Sequence, residues 1–328
     1  MSRAYDNAAD GRYQQGGRRN LIINGAMEVA QRATSSTSGG YVSLDRWRVN
    51  QSGASTTFSQ ETFTVGEEIG QSRNYARFAV STGNDNAGIQ QRIENITTVP
   101  GGETITISFW AKGTNPGGGS LIAGYAQNFG SGGSSQVTVT NTDVAVTTGW
   151  ARYTLSIDVP SISGKTIGTS SFVKIHIGGS SVTDGSTIDI SQVQLELGNI
   201  ATPFEHRSFG EELALCQRYY QKSFAQGVTP QNGQYTVNVT TAWESSTNAR
   251  GNWIPFPVEM RATPTFTQYG NSSNWQVFTG SSWQTTTNSN VGSSVKSYGF
   301  YPTIVGGVTN SNLHPWYAKG DYTVDAEL

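Results

Sequence analysis

The sequence predicts an all-β protein: a jelly-roll β-sandwich, one short linking helix, and then a second, smaller β domain. Three observations lead to this prediction. Segments in which apolar and polar residues alternate recur along the chain, and glycine-rich stretches such as "GTNPGGGS" and "FGSGGSS" separate them. The connecting stretches show no helical periodicity, which argues against a parallel α/β fold. Only 13% of the 328 residues are charged and 39 are glycine, a composition that suits a protein with many turns.

The alternation is clearest in three segments, "TITISFWA", "RYTLSIDV" and "FVKIHI". Side chains on a strand point to opposite faces in turn, so each segment should bury one face. In the third segment we expect Val173, Ile175 and Ile177 in the core. Lys174 and His176 should then lie on the outer face, where a surface histidine needs no special role.

The segment "TIDISQVQLEL" breaks this pattern, because its apolar residues move from even to odd positions. A slip of one residue would turn the apolar face of the strand to solvent. We therefore expect either a β-bulge near Ser191–Gln192 or a strand that passes from one sheet to the other.

The helix is the only long helical pattern in the chain, and it lies in a linking segment at 206–222. Ser208 and Glu211 have the spacing of a capping box, so the helix should begin at 209 and continue to about 222. A helix this short is marginal alone and must pack on something. It could pack on its own sandwich, or on copies of itself around an axis. In the second case its apolar stripe forms the contact, through Leu213, Cys216 and Tyr220.

The domain boundaries follow from these patterns. Residues 1–20 have no periodicity and are expected to form an extended arm, residues 21–205 the jelly roll, and residues 223–328 the smaller C-terminal domain. The arm carries arginines and tyrosines, which suit an interface. The candidates for docking are Arg3, Tyr5, Arg12 and Tyr13.

Composition and spacing exclude several classes of function. The net charge of -2 does not suit a nucleic-acid binder. No apolar run reaches the roughly 18 residues of a membrane span, and no signal-peptide core is visible, so we expect synthesis and folding in a cytoplasm. Cys216 is the only cysteine, and the three histidines lack metal-ligand spacing. We therefore expect no enzyme activity and no cofactor.

Paired carboxylates are the catalytic groups of glycan-cleaving enzymes, and two adjacent acidic pairs occur in the chain. Glu67–Glu68 lies in a turn-like stretch, and Glu211–Glu212 opens the helix, where negative charge is favourable. Glu28 and Asp189 could approach each other if the first and last sandwich strands pair. A structural calcium ion held there with backbone carbonyls is an alternative to the expectation of no metal.

The C-terminal region is poor in charge and rich in aromatic residues, a mixture that suits sugar binding. Sugar rings stack on aromatic faces, and Asn, Gln, Ser and Thr bind their hydroxyls. The tryptophans in polar, turn-like contexts are expected to be more exposed than Trp243 or Trp253. The alternative is that they staple the small domain or lie at a subunit interface. The stacking candidates are Trp275, Trp283 and Trp316.

Several segments resemble bacteriophage and prophage tail-fibre proteins. They are "NLIINGAMEVAQR", "LDRWRV", "ISFWAKG", "TTGWARYTLSIDVP" and "QVQLELGNIATPFEHRSFGEELALCQRYYQKS", in order from about 20 to 223. The central module of those proteins is similar to carbohydrate-binding jelly rolls. The last segment is the most specific, and the C-terminal "HPWYAKGDYTVDAEL" matches loosely. The chain lacks the repetitive shaft of long fibres, which favours a short fibre, a spike or a capsid-attached fibre.

The resemblance implies a virion component on the exterior of the tail or capsid. It implies a homotrimer that docks to another virion protein through its N-terminal arm and faces host surface polysaccharide with its C-terminal part. Three functions remain open: a non-enzymatic receptor-binding fibre, a purely structural adaptor or decoration protein, and a polysaccharide depolymerase. The third is least favoured, because the chain has no long repetitive β-helix.

Overall fold

The computed structural model describes residues 19–51, 55–82, 87–114, 121–140, 144–179, 183–243, 248–272, 274–278, 282–286, 288–289, 295–305 and 316–328. They form two compact units. The first contains residues 19–30, 34–212 and Leu328, and the second contains 31–33 and 213–327. The predicted class is confirmed: an all-β chain with a jelly-roll sandwich, one short helix and a second β region.

The sandwich of the first unit is built from two antiparallel sheets, with strands numbered in chain order. The six-stranded sheet contains, in order across it, β1 (Ser35–Ser36), β3 (Ser55–Thr62), β4 (Asn74–Thr82), β11 (Thr187–Leu197), β6 (Thr104–Thr114) and β9 (Ala151–Asp158). The five-stranded sheet contains β2 (Arg48–Gln51), β5 (Ala87–Glu94), β10 (Phe172–Gly179), β7 (Leu121–Asn128) and β8 (Val137–Thr140). A 3₁₀ turn, Ile96–Thr98, follows β5.

The core lies between the two sheets, where their inward side chains form one cluster. Val173, Ile175 and Ile177 are all fully buried there, as the alternation predicted. The rings of Phe58 and Phe78 meet at 4.9 Å between centroids in the same core. Each buried aliphatic or aromatic side chain contributes roughly 1.5–3 kcal/mol to the free energy of folding.

The outer faces of the two sheets differ: the chain covers part of the face of the six-stranded sheet, whereas the face of the five-stranded sheet carries a cleft. On the six-stranded sheet, Thr106 and Ser108 are as buried as the core residues between them. The chain after β11 covers them: the Thr106 hydroxyl donates to the Gly198 carbonyl, and the Gln194 amide accepts from the Glu205 backbone N–H at 2.8 Å. The outer face of the five-stranded sheet, in contrast, carries an open cleft.

The predicted β-bulge in β11 is confirmed. Ser191 pairs with Trp110, but Gln194 pairs with Ser108, so β11 holds one extra residue. Gln192 adopts a positive φ of 53° and its amide donates to the Ser72 hydroxyl at 3.0 Å. The extra residue keeps both Ile190 and Val193 on the core side, which the shift in the sequence pattern required.

The helix, α1 (Phe209–Gln217), is shorter than the predicted 209–222. Its capping box is confirmed: the Ser208 hydroxyl accepts from the Glu211 N–H at 3.3 Å, and the Glu211 carboxylate accepts from the Ser208 N–H at 3.1 Å. Tyr220 does not continue the helix, because it begins a strand that pairs with the end of the chain. Among the described residues, no helix has the length and apolar character that a membrane span requires.

The second unit is organised around the last strand, β22 (Trp316–Asp325). Four strands pair with β22: β12 (Tyr220–Lys222), β13 (Val237–Trp243), β16 (Thr265–Tyr269) and β17 (Gln276–Phe278). The remaining strands are β14 (Asn248–Gly251), β15 (Ile254–Pro255), β18 (Trp283–Thr285), β19 (Asn288–Ser289), β20 (Gly299–Phe300) and β21 (Thr303–Val305). The predicted hairpin between β17 and β18 is confirmed by their pairing, and its predicted turn at Gly280–Ser281 lies outside the described residues.

The division between the units differs in position from the predicted boundaries at 205 and 223. It falls inside α1, between Glu212 and Leu213, and residues 31–33 belong to the second unit. Within that unit, Arg32 forms ion pairs with Asp325 at 3.0 Å and Glu327 at 3.4 Å. These contacts join positions almost 300 residues apart, which local patterns cannot reveal.

Candidate functional site

The cleft on the five-stranded sheet has a volume of about 590 Å³ and is lined mainly by β2, β5 and β10. Register across the sheet places Arg48, Gln90, His176 and Gly124 in one row. Opposed residues of neighbouring antiparallel strands have their Cβ atoms about 4.5–5.5 Å apart. The row is therefore a band of three polar side chains on β2, β5 and β10 that ends at a glycine of β7.

Glycines form one end of the cleft floor. Gly88 and Gly178 are register partners, and a Cβ built on Gly178 would lie 2.6 Å from the Cα of Gly88. The two backbones approach too closely for a side chain at either position. No side chain therefore fills the cleft above these two glycines. Ile122, the partner of Gly178 on β7, borders this open space.

The His176 imidazole lies over another glycine, Gly124 of β7. A Cβ on Gly124 would lie 2.3 Å from the His176 Cε1 atom, so the ring rests directly on the glycine of the neighbouring strand. The predicted outward direction is correct, but the side chain is only partly exposed and forms part of the cleft wall. Burial, and then the positive charge of Lys174, lower the pKa of His176. The ring is therefore neutral at pH 7 and can both donate and accept a hydrogen bond.

Two further polar groups reach the cleft without partners. Gln90 is 3% exposed, and within the described part of the chain its amide forms no hydrogen bond. Lys174 likewise has no acidic or hydrogen-bonding partner among the described residues. Burial lowers the pKa of Lys174, and the nearby charges of Arg92 and Arg48 lower it further. Buried polar groups are normally hydrogen-bonded, so these two side chains are available to a ligand.

The most specific sequence motifs have structural rather than binding roles. Asn24, in "NLIINGAM", is fully buried. Its side-chain amide donates to the backbone carbonyls of Val29 and Asp45, and its backbone carbonyl accepts from the Trp47 indole at 2.9 Å. The Glu212 carboxylate accepts from the Asn24 N–H and pairs with Arg207 at 3.3 Å. The N-terminal motif and the "HRSFGEE" segment thus hold each other in place.

Trp275 was predicted to be an exposed stacking residue, and that prediction is wrong. The side chain is 0% exposed and lies on Gly320 of β22, where a Cβ would come within 2.4 Å of the indole. Its Nε1–H donates to the Asp321 carbonyl at 3.2 Å. A ring enclosed in this way belongs to the core of the second unit and offers no face to a sugar.

The other two tryptophans have different outcomes. Trp283 is 38% exposed, and the Lys319 ammonium lies 4.1 Å from its ring centroid, so a cation occupies one face. Its role in stacking stays a prediction. The backbone of Trp316 pairs with Thr241 at the start of β22, and its side chain lies outside the described part of the structure.

Two of the three residues of the predicted apolar stripe are not available to another copy of the chain. Cys216 is 0% exposed and Tyr220 is 6% exposed within the single chain, while Leu213 is half-buried. The Arg32 guanidinium lies 3.8 Å from the Tyr220 ring centroid in the second unit. Cys216 and Tyr220 are therefore buried within their own chain, as members of the second unit rather than of the sandwich.

The remaining candidates are the docking residues of the N-terminal arm and the possible calcium site. Arg3, Tyr5, Arg12 and Tyr13 lie outside the described residues, so their docking role stays a prediction. The possible calcium site is wrong, because Arg77 binds both oxygens of Asp189 at 2.7 and 2.8 Å, and Lys112 lies 3.8 Å away. Glu28 instead accepts from the Arg73 N–H and the Asn74 amide, both at 2.9 Å. Across the residues that the structure describes, no group of three metal-binding side chains occurs.

Comparisons with known proteins give structural similarities of limited extent. No family model matches the chain, and no curated protein matches its sequence. The enzymatically active domain of bacteriophage CBA120 tailspike protein 4 is 19% identical over 54% of this chain, with a TM-score of 0.37. The chain spans only 21% of the length of that tailspike chain.

Two carbohydrate-binding modules are also similar. TmCBM61, solved with β-1,4-galactotriose, is 18% identical over 55% of this chain and 99% of its own, with a TM-score of 0.34. The CBM22-1 xylan-binding domain of Paenibacillus barcinonensis Xyn10C is 12% identical over 56% of this chain and 96% of its own, with a TM-score of 0.35. At these scores the similarities do not assign a function to the chain.

Proposed function

We propose that this chain is a non-enzymatic glycan-binding protein of a phage particle, a short tail fibre or spike, and that the cleft on the five-stranded sheet is its glycan site. This proposal moves the receptor site from the C-terminal region, where the sequence placed it, to the jelly roll. Trp283 is retained as a secondary contact, because its exposure still allows one.

The observation that carries the proposal is the set of available polar groups in an open cleft. Gln90, Lys174 and His176 present an amide, an ammonium and an imidazole without partners among the described residues. Sugars are recognised through many hydroxyls, each of which can donate and accept. A cleft of about 590 Å³ falls within the usual size range of small-ligand sites.

The phage assignment is supported by the sequence resemblance alone. The segments that carry it, around residues 20–30 and 194–223, contain the buried residues Asn24, Arg207 and Glu212. Because these residues hold the first unit together, the resemblance concerns the scaffold that carries the cleft. Virion location, a homotrimeric state and attachment through residues 1–20 complete the proposal.

The cleft can be tested by filling it. Ile122→Trp should place an indole over the open floor beside Gly178 and abolish binding on a glycan array, with the melting temperature changed little. Ile167→Trp is the matched control, since Ile167 is 46% exposed and does not line the cleft. Retained binding by Ile122→Trp would remove the site from the cleft. If the unmodified protein binds no glycan, the structural adaptor becomes the better account.

The non-enzymatic and virion parts have separate tests. Incubation of the protein with the glycans it binds should release no shorter oligosaccharide, and release would identify a depolymerase instead. A chain that lacks residues 1–20 should fold and bind glycan but no longer join phage particles. Labelled imaging that finds the truncated chain on particles would place the docking contact elsewhere.

A further inference from the structure

The charge of the cleft distinguishes it from the rest of the first unit. Of its lining residues, Arg48 and Lys174 are basic, and none is a carboxylate. Elsewhere in the same unit, two arginines are paired with buried carboxylates, Arg77 with Asp189 and Arg207 with Glu212. The cleft therefore concentrates positive charge without an acidic partner in its lining.

The groups around Lys174 strengthen this contrast. Arg92 is its register partner on β5, so a second cation lies on the same sheet face. Arg92 donates to the Leu328 backbone oxygen at 2.5 Å and lies 4.7 Å from the Phe172 ring centroid. Glu94, two residues further along β5, does not line the cleft. Lys174 is thus half-buried near two arginines, and burial together with their positive charges disfavours its charged form and lowers its pKa.

We propose that the glycan bound in this cleft is anionic: its repeating unit carries a carboxylate, sulfate or phosphate group, which Arg48 and Lys174 bind. The inference rests on the proposed function and names the class of ligand for the same site. An oxyanion would supply the missing counter-charge, and the arginine can bind it in a bidentate manner. Gln90 and His176, in the same row across the sheet as Arg48, would bind neighbouring hydroxyls.

The test compares three polymers with one backbone. Binding of unmodified dextran, carboxymethyl dextran and dextran sulfate of equal length would be measured by biolayer interferometry at low and at physiological salt. We expect at least one charged dextran to bind at least about tenfold more tightly than dextran itself, because hydrogen bonds to charged groups are the stronger ones. The carboxymethyl and sulfate arms distinguish the two oxyanions.

Substitutions of Arg48 and Lys174 test whether the cleft is the part of the protein that binds the charged dextran. Arg48→Gln and Lys174→Gln should each lower affinity for the charged dextran about tenfold. Lys165→Gln, which removes an exposed cation outside the cleft, should leave affinity unchanged. The charge-retaining variant Lys174→Arg should keep most of the binding, and Arg48→Lys should bind more tightly than Arg48→Gln, which separates loss of charge from loss of folding.

Three results would overturn the inference: equal binding of all three dextrans, no binding of any of them, or an equal loss in Lys165→Gln. Failure here and failure of the proposed function remain distinguishable. If the glycan array shows neutral glycans whose binding Ile122→Trp abolishes, the cleft is a glycan site and only the charge assignment is wrong. If no binding depends on the cleft, the proposed function fails as well.

Discussion

At the scale of single residues, the fate of each tryptophan depends on contacts far along the chain. Trp275 stands among serines and asparagines, which favoured a turn and an exposed ring. Its neighbours in space are Gly320 and Asp321 of the last strand, and Gly320 leaves the room that the indole fills. Composition around a residue cannot reveal a glycine 45 positions away, so local sequence could not predict this burial.

This difference gives a paired prediction. Trp275→Ala should lower the free energy of unfolding of the second unit by roughly 3–5 kcal/mol, because it empties a fully enclosed site. Trp283→Ala should cost no more than about 1 kcal/mol, since it removes a partly exposed ring and its contact with Lys319. Urea unfolding of both variants checks this, and similar costs for the two would contradict the burial described here.

The His176 position gives a prediction about pH. Burial lowers the pKa of His176 in the folded state, so the unfolded chain binds a proton more readily. Stability from this residue is complete above the unfolded pKa of about 6.5 and is lost as the pH falls below it. The free energy of unfolding should therefore fall less between pH 7.5 and 5.5 in His176→Gln than in the unmodified protein. An equal fall in both would show that His176 is not desolvated.

At the scale of secondary-structure elements, local patterns predicted what local physics determines. The alternation in β10, the bulge in β11 and the capping box of α1 each follow from neighbouring residues, and each is confirmed. The predicted length of α1 was wrong, because contacts with residues far along the chain determine where the helix ends. Tyr219 and Tyr220 leave the helix because the last residues of the chain bind them: the Ala326 N–H donates to the Tyr219 carbonyl, and Tyr220 pairs with Asp325.

The bulge provides the prediction at this scale. Deletion of Gln192 would remove the extra residue, so that Ile190, Val193 and Leu195 alternate regularly on one face of a strand without a bulge. The variant should therefore keep a folded first unit. Deletion of Gln194, outside the bulge, should instead turn Leu195 away from the face on which Val193 lies and cause aggregation or rapid proteolysis. Equal folding of the two deletion variants, measured by circular dichroism and limited proteolysis, would show that the bulge does not set the register.

At the scale of the whole molecule, the sequence predicted two β regions and one helix, but not where the ligand site lies. The cleft needs β2, β5, β10 and β7 side by side, in an order unrelated to their order in the chain. The signals that could have pointed to it were Lys174 and His176 on one strand face and Gln90 and Arg92 on another. Their pairing became visible only with the strand register.

The homotrimer stays a prediction from the resemblance, and its interface must use residues other than Cys216 and Tyr220. Light scattering coupled to size exclusion should give a mass of three chains at micromolar concentration. The variant Leu213→Asp should then reduce folding of the single chain rather than only dissociate the assembly, because Leu213 is half-buried within it. A monomeric mass for the unmodified protein would refute the trimer.

The central claim is that the cleft of the five-stranded sheet binds the glycan, and hydrogen–deuterium exchange with mass spectrometry tests it most directly. The protein would be compared with and without an acidic oligosaccharide from the array. We predict slower exchange in peptides that cover β2, β5 and β10, with little change around Trp283 and Tyr317 in the second unit. Protection confined to the second unit, with unchanged exchange in residues 48–51, 87–94 and 172–179, would contradict the account.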